Sequence, residues 1–273
     1  MYLEYWKLST QPFEPIGDHA SLYPCEAHEA ALVKLRYAIE NQRGAAVLAG
    51  PAGTGKTTLA RLLEQQLDAR FEPFVRLVFP QMSSRDLLVY LAEELGAPPA
   101  DPPRHTVEES VRRLQFYLAQ NAHLDRHAVV LVDEAHLLED CGALETLRLL
   151  LNFEVDARPT LTLLLVGQMG LVSAVGRLPS LAERVAVNSL LRAFTTEETA
   201  GYVTHRLRAA GASRDLFTPD ALEAIHYLGH GIPRQINRLA DLALLVGFAD
   251  RLHELKAEQI EAVSEELVAI NAA

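Results

Sequence analysis

The sequence predicts an α/β fold whose parallel sheet lies in the first two thirds of the chain, followed by a small all-helical domain. In the first part, apolar runs of strand length alternate with stretches of helical periodicity, which is the pattern of a parallel sheet covered by helices on both faces. After about Leu191 only helical patterns remain. We therefore expect two domains, 1–192 and 193–273.

Five apolar runs are interpreted as the strands of this sheet. Each has strand length and is rich in aliphatic or β-branched side chains. The first leads into a glycine-rich loop, and the third and fourth each end at polar residues, so the candidate functional residues follow strand ends. The predicted strands are Ala45–Leu48, Phe74–Phe79, Ala128–Val132, Thr160–Val166 and Val185–Leu190.

Helices are predicted between the strands and throughout the last third of the chain. Two of them begin at capping boxes, in which a threonine and the glutamate three residues later satisfy free backbone N–H groups. These boxes start at Thr106 and Thr195, and Thr218 precedes a proline at the first position of a further helix. The other predicted helices are Lys56–Leu67, Ser84–Leu95, Leu144–Phe153 and two further helices whose apolar stripes include Ile236 and Ile260.

Composition narrows the class of protein. The chain has 25 basic and 36 acidic residues and a net charge of -11, which disfavours passive binding to nucleic acid, although a local basic loop could still bind it. Its two cysteines, Cys25 and Cys141, have no metal-binding spacing and are interpreted as buried thiols. No signal peptide or membrane-length apolar run is visible, so we expect a cytoplasmic protein without a membrane span.

A phosphate-binding pattern follows the first predicted strand and precedes a predicted helix. Gly50-Pro-Ala-Gly-Thr-Gly-Lys-Thr57 matches GxxxxGK[ST], in which backbone N–H groups and the positive end of a helix bind phosphates. Lys56 would reach the β- and γ-phosphates, and the Thr57 hydroxyl would be a Mg²⁺ ligand, so the pattern predicts ATP and Mg²⁺ as cofactors. The predicted nucleotide contacts in this segment are Gly50, Pro51, Ala52, Gly53, Thr54, Gly55, Lys56, Thr57 and Thr58.

Two adjacent carboxylates end the third predicted strand. Asp133 would hold Mg²⁺ through water, and Glu134 would orient and deprotonate the attacking water. The second carboxylate favours hydrolysis over binding alone. Although Asp133-Glu-Ala-His136 is the motif that names a class of helicases, the chain lacks room for their second motor domain. His136 is interpreted as a local packing or polar contact.

Three further polar residues are candidates for the same site. Gln168 follows the fourth strand and would place an amide near the γ-phosphate, a loop-capping amide being the alternative. Arg184 could stabilise charge in a neighbouring subunit's site; Arg177 is the competing candidate, and a surface ion pair is the alternative for either. Arg234, at the start of a helix in the last third, could report the γ-phosphate to the helical domain.

Several short runs together resemble a known family. They are Met1-Tyr-Leu-Glu-Tyr-Trp6, Gln11-Pro-Phe13, Gly50–Thr57, Leu131-Val-Asp-Glu-Ala135, Leu165-Val-Gly-Gln168, Leu181-Ala-Glu-Arg184 and Gly231-Ile-Pro-Arg234. Over nearly its whole length the chain resembles the AAA+ ATPases of general secretion pathway protein A, the ExeA type, and related ATPases that assist bacterial transposition.

The resemblance implies a P-loop ATPase domain followed by a helical lid, with self-association into a ring or filament. It implies that Gln168 is a first sensor, Arg184 an arginine finger and Arg234 a second sensor. Longer family members carry a membrane span and a peptidoglycan-binding module after the ATPase domain, and neither is present in this sequence, so we expect separately encoded partners. The resemblance also implies that adenine is flanked by Leu22, Tyr23 and Ile232.

The leading functional hypothesis is an ATP hydrolase that drives assembly or remodelling of a protein complex. A small-molecule kinase is a further possibility, but that function would account for the presence of neither Glu134 nor Arg234. The sequence identifies neither the protein client nor the oligomer size. The alternative is an ATP-dependent DNA-binding switch of the transposition-helper type, for which the candidate contacts are Arg192, Arg206, Arg208 and Arg238.

Overall fold

The computed structural model describes residues 2–14, 23–99 and 105–272 and divides the chain into two compact units. Unit 1 comprises Met1–Glu26, Pro51–Gly55 and Arg192–Ala273; unit 2 comprises Ala27–Gly50 and Lys56–Leu191. The N-terminal segment and the tip of the glycine-rich loop belong to unit 1 together with the segment from Arg192. The division into domains 1–192 and 193–273 stays a prediction.

The sheet of unit 2 has five parallel strands in the order β2-β3-β6-β1-β7. A separate antiparallel pair is formed by β4 and β5. The five predicted strands are confirmed, although the second ends at Leu77, before the exposed Val78 and Phe79. The strand bounds are β1 Ala45–Ala49, β2 Phe74–Leu77, β3 Ala128–Val132, β4 Glu154–Val155, β5 Arg158–Pro159, β6 Leu161–Gly167 and β7 Val185–Leu190.

Helices connect the strands of unit 2 and form most of unit 1. Short 3-10 helices cover Ala69–Phe71 and Ala135–Cys141. The sequence predicted neither of these, nor the first two α-helices. The α-helices in the described residues are α1 Tyr2–Trp6, α2 Glu26–Glu40, α3 Lys56–Gln66, α4 Ser84–Glu94, α5 Val107–His123, α6 Ala143–Leu150, α7 Gly170–Gly176, α8 Pro179–Ala182, α9 Thr196–Ala209, α10 Pro219–Leu228, α11 Pro233–Ala249 and α12 Ala257–Ala272.

The core of unit 2 consists of one apolar layer on each face of the sheet. Alternate residues of β3 belong to different layers: Val130 and Val132 to one, Val129 and Leu131 to the other. All five residues of β3 are fully buried. Helices covering both faces account for the apolar run of this strand, since neither face needs polar side chains.

In unit 1 the N-terminal segment packs against the helices α9 and α11. Trp6 is 2% exposed, and its Nε1 donates a hydrogen bond of 2.9 Å to the carbonyl oxygen of Leu244 in α11. Arg206 of α9 is also buried, and its Nε donates to the carbonyl oxygen of Pro12 at 2.7 Å. A buried guanidinium needs such acceptors, so these contacts fix the segment to the helices.

Across the described residues, none of the helices combines the length and the apolar character needed to cross a membrane.

Candidate functional site

The glycine-rich loop leaves β1 at Gly50 and enters α3 at Lys56. Lys56 is only 7% exposed, and its Nζ donates a hydrogen bond of 2.9 Å to the carbonyl oxygen of Gly50. Thr57 and Thr58, in the first turn of α3, are half-buried. The strand–loop–helix order therefore has the form in which a loop of this pattern binds phosphates.

The tip of the loop contacts the start of α11 within unit 1. The backbone nitrogen of Arg234 donates to the carbonyl oxygen of Gly53 at 3.2 Å. Gly53 has φ +82°, and a Cβ atom there would lie 2.9 Å from the Cβ of Arg234 and 3.0 Å from Cγ2 of Ile232. Both the backbone conformation and the close approach require glycine. Thr54 is 1% exposed, and its hydroxyl donates to the Pro51 carbonyl oxygen at 2.9 Å, closing the tip on itself.

Arg234 lies in the first turn of α11, directly after Pro233. Its side chain is exposed, and within the described part of the chain its guanidinium has no recorded hydrogen bond or ion pair. The backbone of Arg234 is therefore fixed to the loop tip while its charge faces solvent. Ala52, at the tip, is also exposed.

The first carboxylate after β3 is bound to the first turn of α3. Thr57 Oγ1 donates a hydrogen bond of 2.8 Å to Oδ2 of Asp133, which is 5% exposed. The other oxygen, Oδ1, accepts from the backbone nitrogen of Glu134 at 3.0 Å. A hydroxyl and a carboxylate this close are the oxygen donors that Mg²⁺ prefers. In the described residues no group of three or more His, Cys, Asp or Glu side chains could hold a metal ion.

Glu134 has a left-handed backbone, with φ 52° and ψ 34°, and precedes the 3-10 helix Ala135–Cys141. Its side chain is 46% exposed, and Oε2 lies 3.4 Å from Nδ1 of His136. The same Nδ1 lies 3.4 Å from the backbone nitrogen of Gln168, just after β6. The structure therefore brings Glu134 and Gln168 together around His136. The Gln168 side chain itself is exposed.

Gly167, the last residue of β6, was named in the sequence analysis only as part of the run Leu165-Val-Gly-Gln168, and no role was assigned to it. A Cβ atom there would lie 3.2 Å from the backbone nitrogen of His136 and 3.3 Å from its Nδ1, so glycine is what lets the two segments approach. A glycine in a strand often marks the close approach of another backbone, so a glycine at the end of this otherwise apolar run could have indicated such a contact.

Arg184, predicted to act in a neighbouring subunit, is engaged within its own unit. Its Nη1 donates to the carbonyl oxygen of Leu151 at 2.9 Å and its Nη2 to Oδ1 of Asn152 at 2.7 Å, just after α6. Arg177, the competing candidate, is exposed at the end of α7. Arg184 would have to exchange these two acceptors for phosphate oxygens to act on another subunit.

Of the residues expected to flank adenine, Leu22 lies outside the described residues. Tyr23 lies in an aromatic cluster of unit 1, with ring centroids 6.1 Å from Phe194 and 5.9 Å from Tyr202. Ile232 contacts the loop tip through Gly53, as described above. The structure therefore places Tyr23 and Ile232 in the unit that holds the loop tip.

Buried and paired groups occupy the N-terminal end of α9. Cys25 is 2% exposed, as predicted, and its Sγ donates to Oε1 of Glu198 at 3.4 Å; the side chain of Cys141 lies outside the described set. An ion pair with Arg192 at 2.6 Å is the main cause that lowers the pKa of the Glu198 carboxyl to about 2, and the Thr195 backbone N–H adds to it. Arg192 is therefore held in an ion pair within the chain.

The arginines considered for DNA binding differ in their surroundings. Arg206 is 5% exposed and binds backbone oxygens of the N-terminal segment, so it is not a surface contact. Arg208 is exposed, 4.0 Å from a carboxylate oxygen of Asp215. Arg238 is exposed on α11. Of the four arginines, Arg192 and Arg206 are thus engaged within the chain, and Arg208 and Arg238 are exposed.

Comparison of the sequence with known proteins identifies a matching family and a relative of this chain. Residues 39–175 match the sequence family described as AAA domain. The chain is 36% identical over 274 residues to general secretion pathway protein A of Aeromonas hydrophila, a match that covers 99% of this chain and 49% of that protein. The chain thus spans about half the length of the curated relative it matches.

Solved structures share the fold at low sequence identity. The ORC2 protein of Aeropyrum pernix in ADPNP–ADP complexes has a TM-score of 0.70 at 16% identity, covering 94% of this chain and 72% of that one. The Thermotoga maritima RuvB Holliday junction branch migration motor has a TM-score of 0.60 at 20% identity, covering 94% and 74%. These likenesses confirm the predicted fold, a parallel sheet followed by a helical region.

Proposed function

The chain belongs to the AAA domain family and is similar to general secretion pathway protein A, and we propose that it binds ATP with Mg²⁺ on Gly50–Thr57 and hydrolyses it. The observation that carries this proposal is the hydrogen bond of 2.8 Å between Thr57 and Asp133. This bond joins Thr57 and Asp133, which belong to two different sequence motifs and are both assigned to the same metal ion. A glycine-rich turn without nucleotide would need no such pairing.

Binding uses the backbone of the loop, the start of α3 and Lys56. The loop N–H groups and the positive end of α3 attract phosphate oxygens. A phosphate oxygen replaces the Gly50 carbonyl as acceptor for Lys56 Nζ, whose buried charge gains strength from its low-dielectric surroundings. Thr57 and Asp133 would hold a magnesium ion, which would neutralise charge on the β- and γ-phosphates.

Hydrolysis is assigned to Glu134. Its carboxylate accepts a proton from a water molecule, the water oxygen attacks the γ-phosphorus, and the bond from that phosphorus to the β–γ bridging oxygen breaks, giving ADP and phosphate. Its partly exposed side chain is free to reach a water molecule.

Three other residues are assigned supporting roles. Gln168 orients the water or the γ-phosphate from the end of β6, and Arg234 senses the phosphate from the α11 turn that contacts Gly53. Arg184 acts on the site of a neighbouring subunit in a ring or filament. The role of Arg234 is supported by the contact between its backbone nitrogen and Gly53 at the loop tip.

The energy of hydrolysis drives assembly or remodelling of a protein complex in the cytoplasm, related to secretion or the cell envelope. This part of the proposal rests on the similarity to general secretion pathway protein A. DNA binding remains the alternative outcome of the experiment, and the net charge of -11 with Arg206 buried argues against it.

The test compares Glu134→Gln with wild type and with Glu93→Gln, an exposed glutamate of α4 in the same unit. We expect Glu134→Gln to bind ATP normally and to lose at least about 100-fold in turnover, the usual contribution of a general base. Glu93→Gln should match wild type. Turnover of wild type should rise with protein concentration and be unaffected by duplex DNA. Unchanged turnover in Glu134→Gln would remove Glu134 from the mechanism, and salt-sensitive, ATP-dependent DNA binding would favour the alternative.

A further inference from the structure

His136 lies between the proposed general base and the end of β6. Its Nδ1 is 3.4 Å from Oε2 of Glu134 and 3.4 Å from the backbone nitrogen of Gln168. The His136 side chain is 19% exposed, whereas that of Glu134 is 46% exposed. The imidazole is therefore held more firmly by its surroundings than the carboxylate that it faces.

The two contacts of Nδ1 exclude one another. A ring nitrogen that carries a proton can donate to the carboxylate, whereas one with a free lone pair can accept from the amide N–H. Both distances exceed the range of about 2.7–3.2 Å for ordinary hydrogen bonds of this kind. This is expected of one atom that lies between two partners and can bind only one of them at a time.

The backbone on both sides is shaped for this approach. The left-handed conformation of Glu134, with φ 52°, starts the 3-10 helix that carries His136 against the end of β6. On the other side, Gly167 leaves the space that a Cβ atom 3.3 Å from Nδ1 would take. The position of His136 thus depends on two local backbone features as well as on its own side-chain contacts.

We propose that His136 is a positioning residue for Glu134, which deepens the proposed ATPase function and rests on it. When Nδ1 carries the proton, it donates to Oε2 and holds the carboxylate in the orientation that faces the attacking water. When Nδ1 carries the lone pair, it accepts the Gln168 N–H and the carboxylate is released. His136 therefore controls the rate of hydrolysis and leaves ATP affinity unchanged.

Three substitutions separate this role from a packing role. His136→Leu removes the polar atoms at similar bulk. His136→Asn places an amide near the position of Nδ1, where it can donate to Glu134 or accept from Gln168, and His136→Gln places it nearer the position of Nε2. The measurements are kcat, KM and ATP affinity, with circular dichroism to compare folding.

In His136→Leu, kcat should fall roughly ten-fold, as for the loss of one hydrogen bond to a charged group, while KM and ATP affinity stay within about two-fold. His136→Asn should recover kcat to within about three-fold of wild type, and His136→Gln should not. If His136→Leu does not fold, the comparison of the Asn and Gln variants decides.

The proposal is overturned if His136→Leu keeps the wild-type kcat, or if the Asn and Leu variants lose kcat equally. A rise in KM that accounts for the whole effect also overturns it, because His136 would then act in binding. If the wild-type protein does not hydrolyse ATP, the proposed function fails and the contact is tested by ¹⁵N NMR of the imidazole. Glu134→Ala should then shift the Nδ1 resonance of His136, and an unchanged resonance refutes the contact.

Discussion

His127 should make unit 2 sensitive to mild acid. This residue is 2% exposed and directly precedes β3, and its Nε2 lies 2.8 Å from Oγ1 of Thr162. Because the Thr162 hydroxyl donates to the carbonyl oxygen of Arg43, its oxygen accepts from Nε2–H of a neutral imidazole. Burial lowers the pKa of His127 from its ordinary 6.5 to about 4, and a contact with the Pro159 backbone acts in the opposite direction.

The sign and size of the effect follow from linkage. Above pH 6.5 the imidazole is neutral in both the folded and the unfolded chain, and it makes no pH-dependent contribution. Between pH 6.5 and about 4 only the unfolded chain takes up the proton, so the free energy of unfolding decreases as pH falls. At pH 5 the loss from this one group is about 2 kcal/mol, and below pH 4 it levels off near 3 kcal/mol.

Urea denaturation at pH 7 and pH 5 measures this loss in wild type and in His127→Gln, which keeps an N–H donor without titrating. Circular dichroism should follow the transition, because the single tryptophan, Trp6, lies in unit 1. His127→Gln should lose about 2 kcal/mol less than wild type between the two pH values. His123→Gln, at the exposed end of α5, should match wild type. An equal loss in His127→Gln and wild type would refute the reasoning.

Two further predictions concern the nucleotide site. Gly53→Ala should weaken ATP binding by at least about ten-fold by calorimetry, because φ is +82° and the new Cβ would lie 2.9 Å from a side-chain atom of α11. Gly176→Ala, whose Cβ would meet nothing within 4 Å, should bind normally, and equal affinities would contradict the argument. If Arg184 acts between subunits, mixing inactive Arg184→Ala with inactive Glu134→Gln should restore turnover; recovery with Arg177→Ala instead would transfer the role.

The sequence predicts the strands well because the helices bury both faces of the sheet. Buried on both sides, β3 and β6 consist almost entirely of apolar residues, and the polar residues that follow them are easily seen. The predicted strand from Phe74 was too long because its last two residues are apolar but exposed. Hydrophobicity alone cannot tell an exposed apolar residue from a buried one.

Other features depend on tertiary contacts that no local pattern records. The left-handed turn at Glu134 occurs at a residue other than glycine, so the 3-10 helix that follows had no sequence marker. The burial of Arg206 depends on backbone oxygens almost two hundred residues earlier in the chain. Its charge therefore suggested a surface contact. The capping box at Thr195, in contrast, is encoded within four residues and is present as predicted.

The order of the strands, rather than their distance in sequence, is what brings the catalytic candidates of unit 2 together. Asp133, Gln168 and Gly50 follow β3, β6 and β1, which are successive neighbours in the sheet. Pairing of Ala49 with Gly167 puts the ends of β1 and β6 level, and β3 pairs with the other edge of β6. Without β6 beside β3, one imidazole could not face both Glu134 and Gln168. The proposed role of His136 therefore requires this strand order.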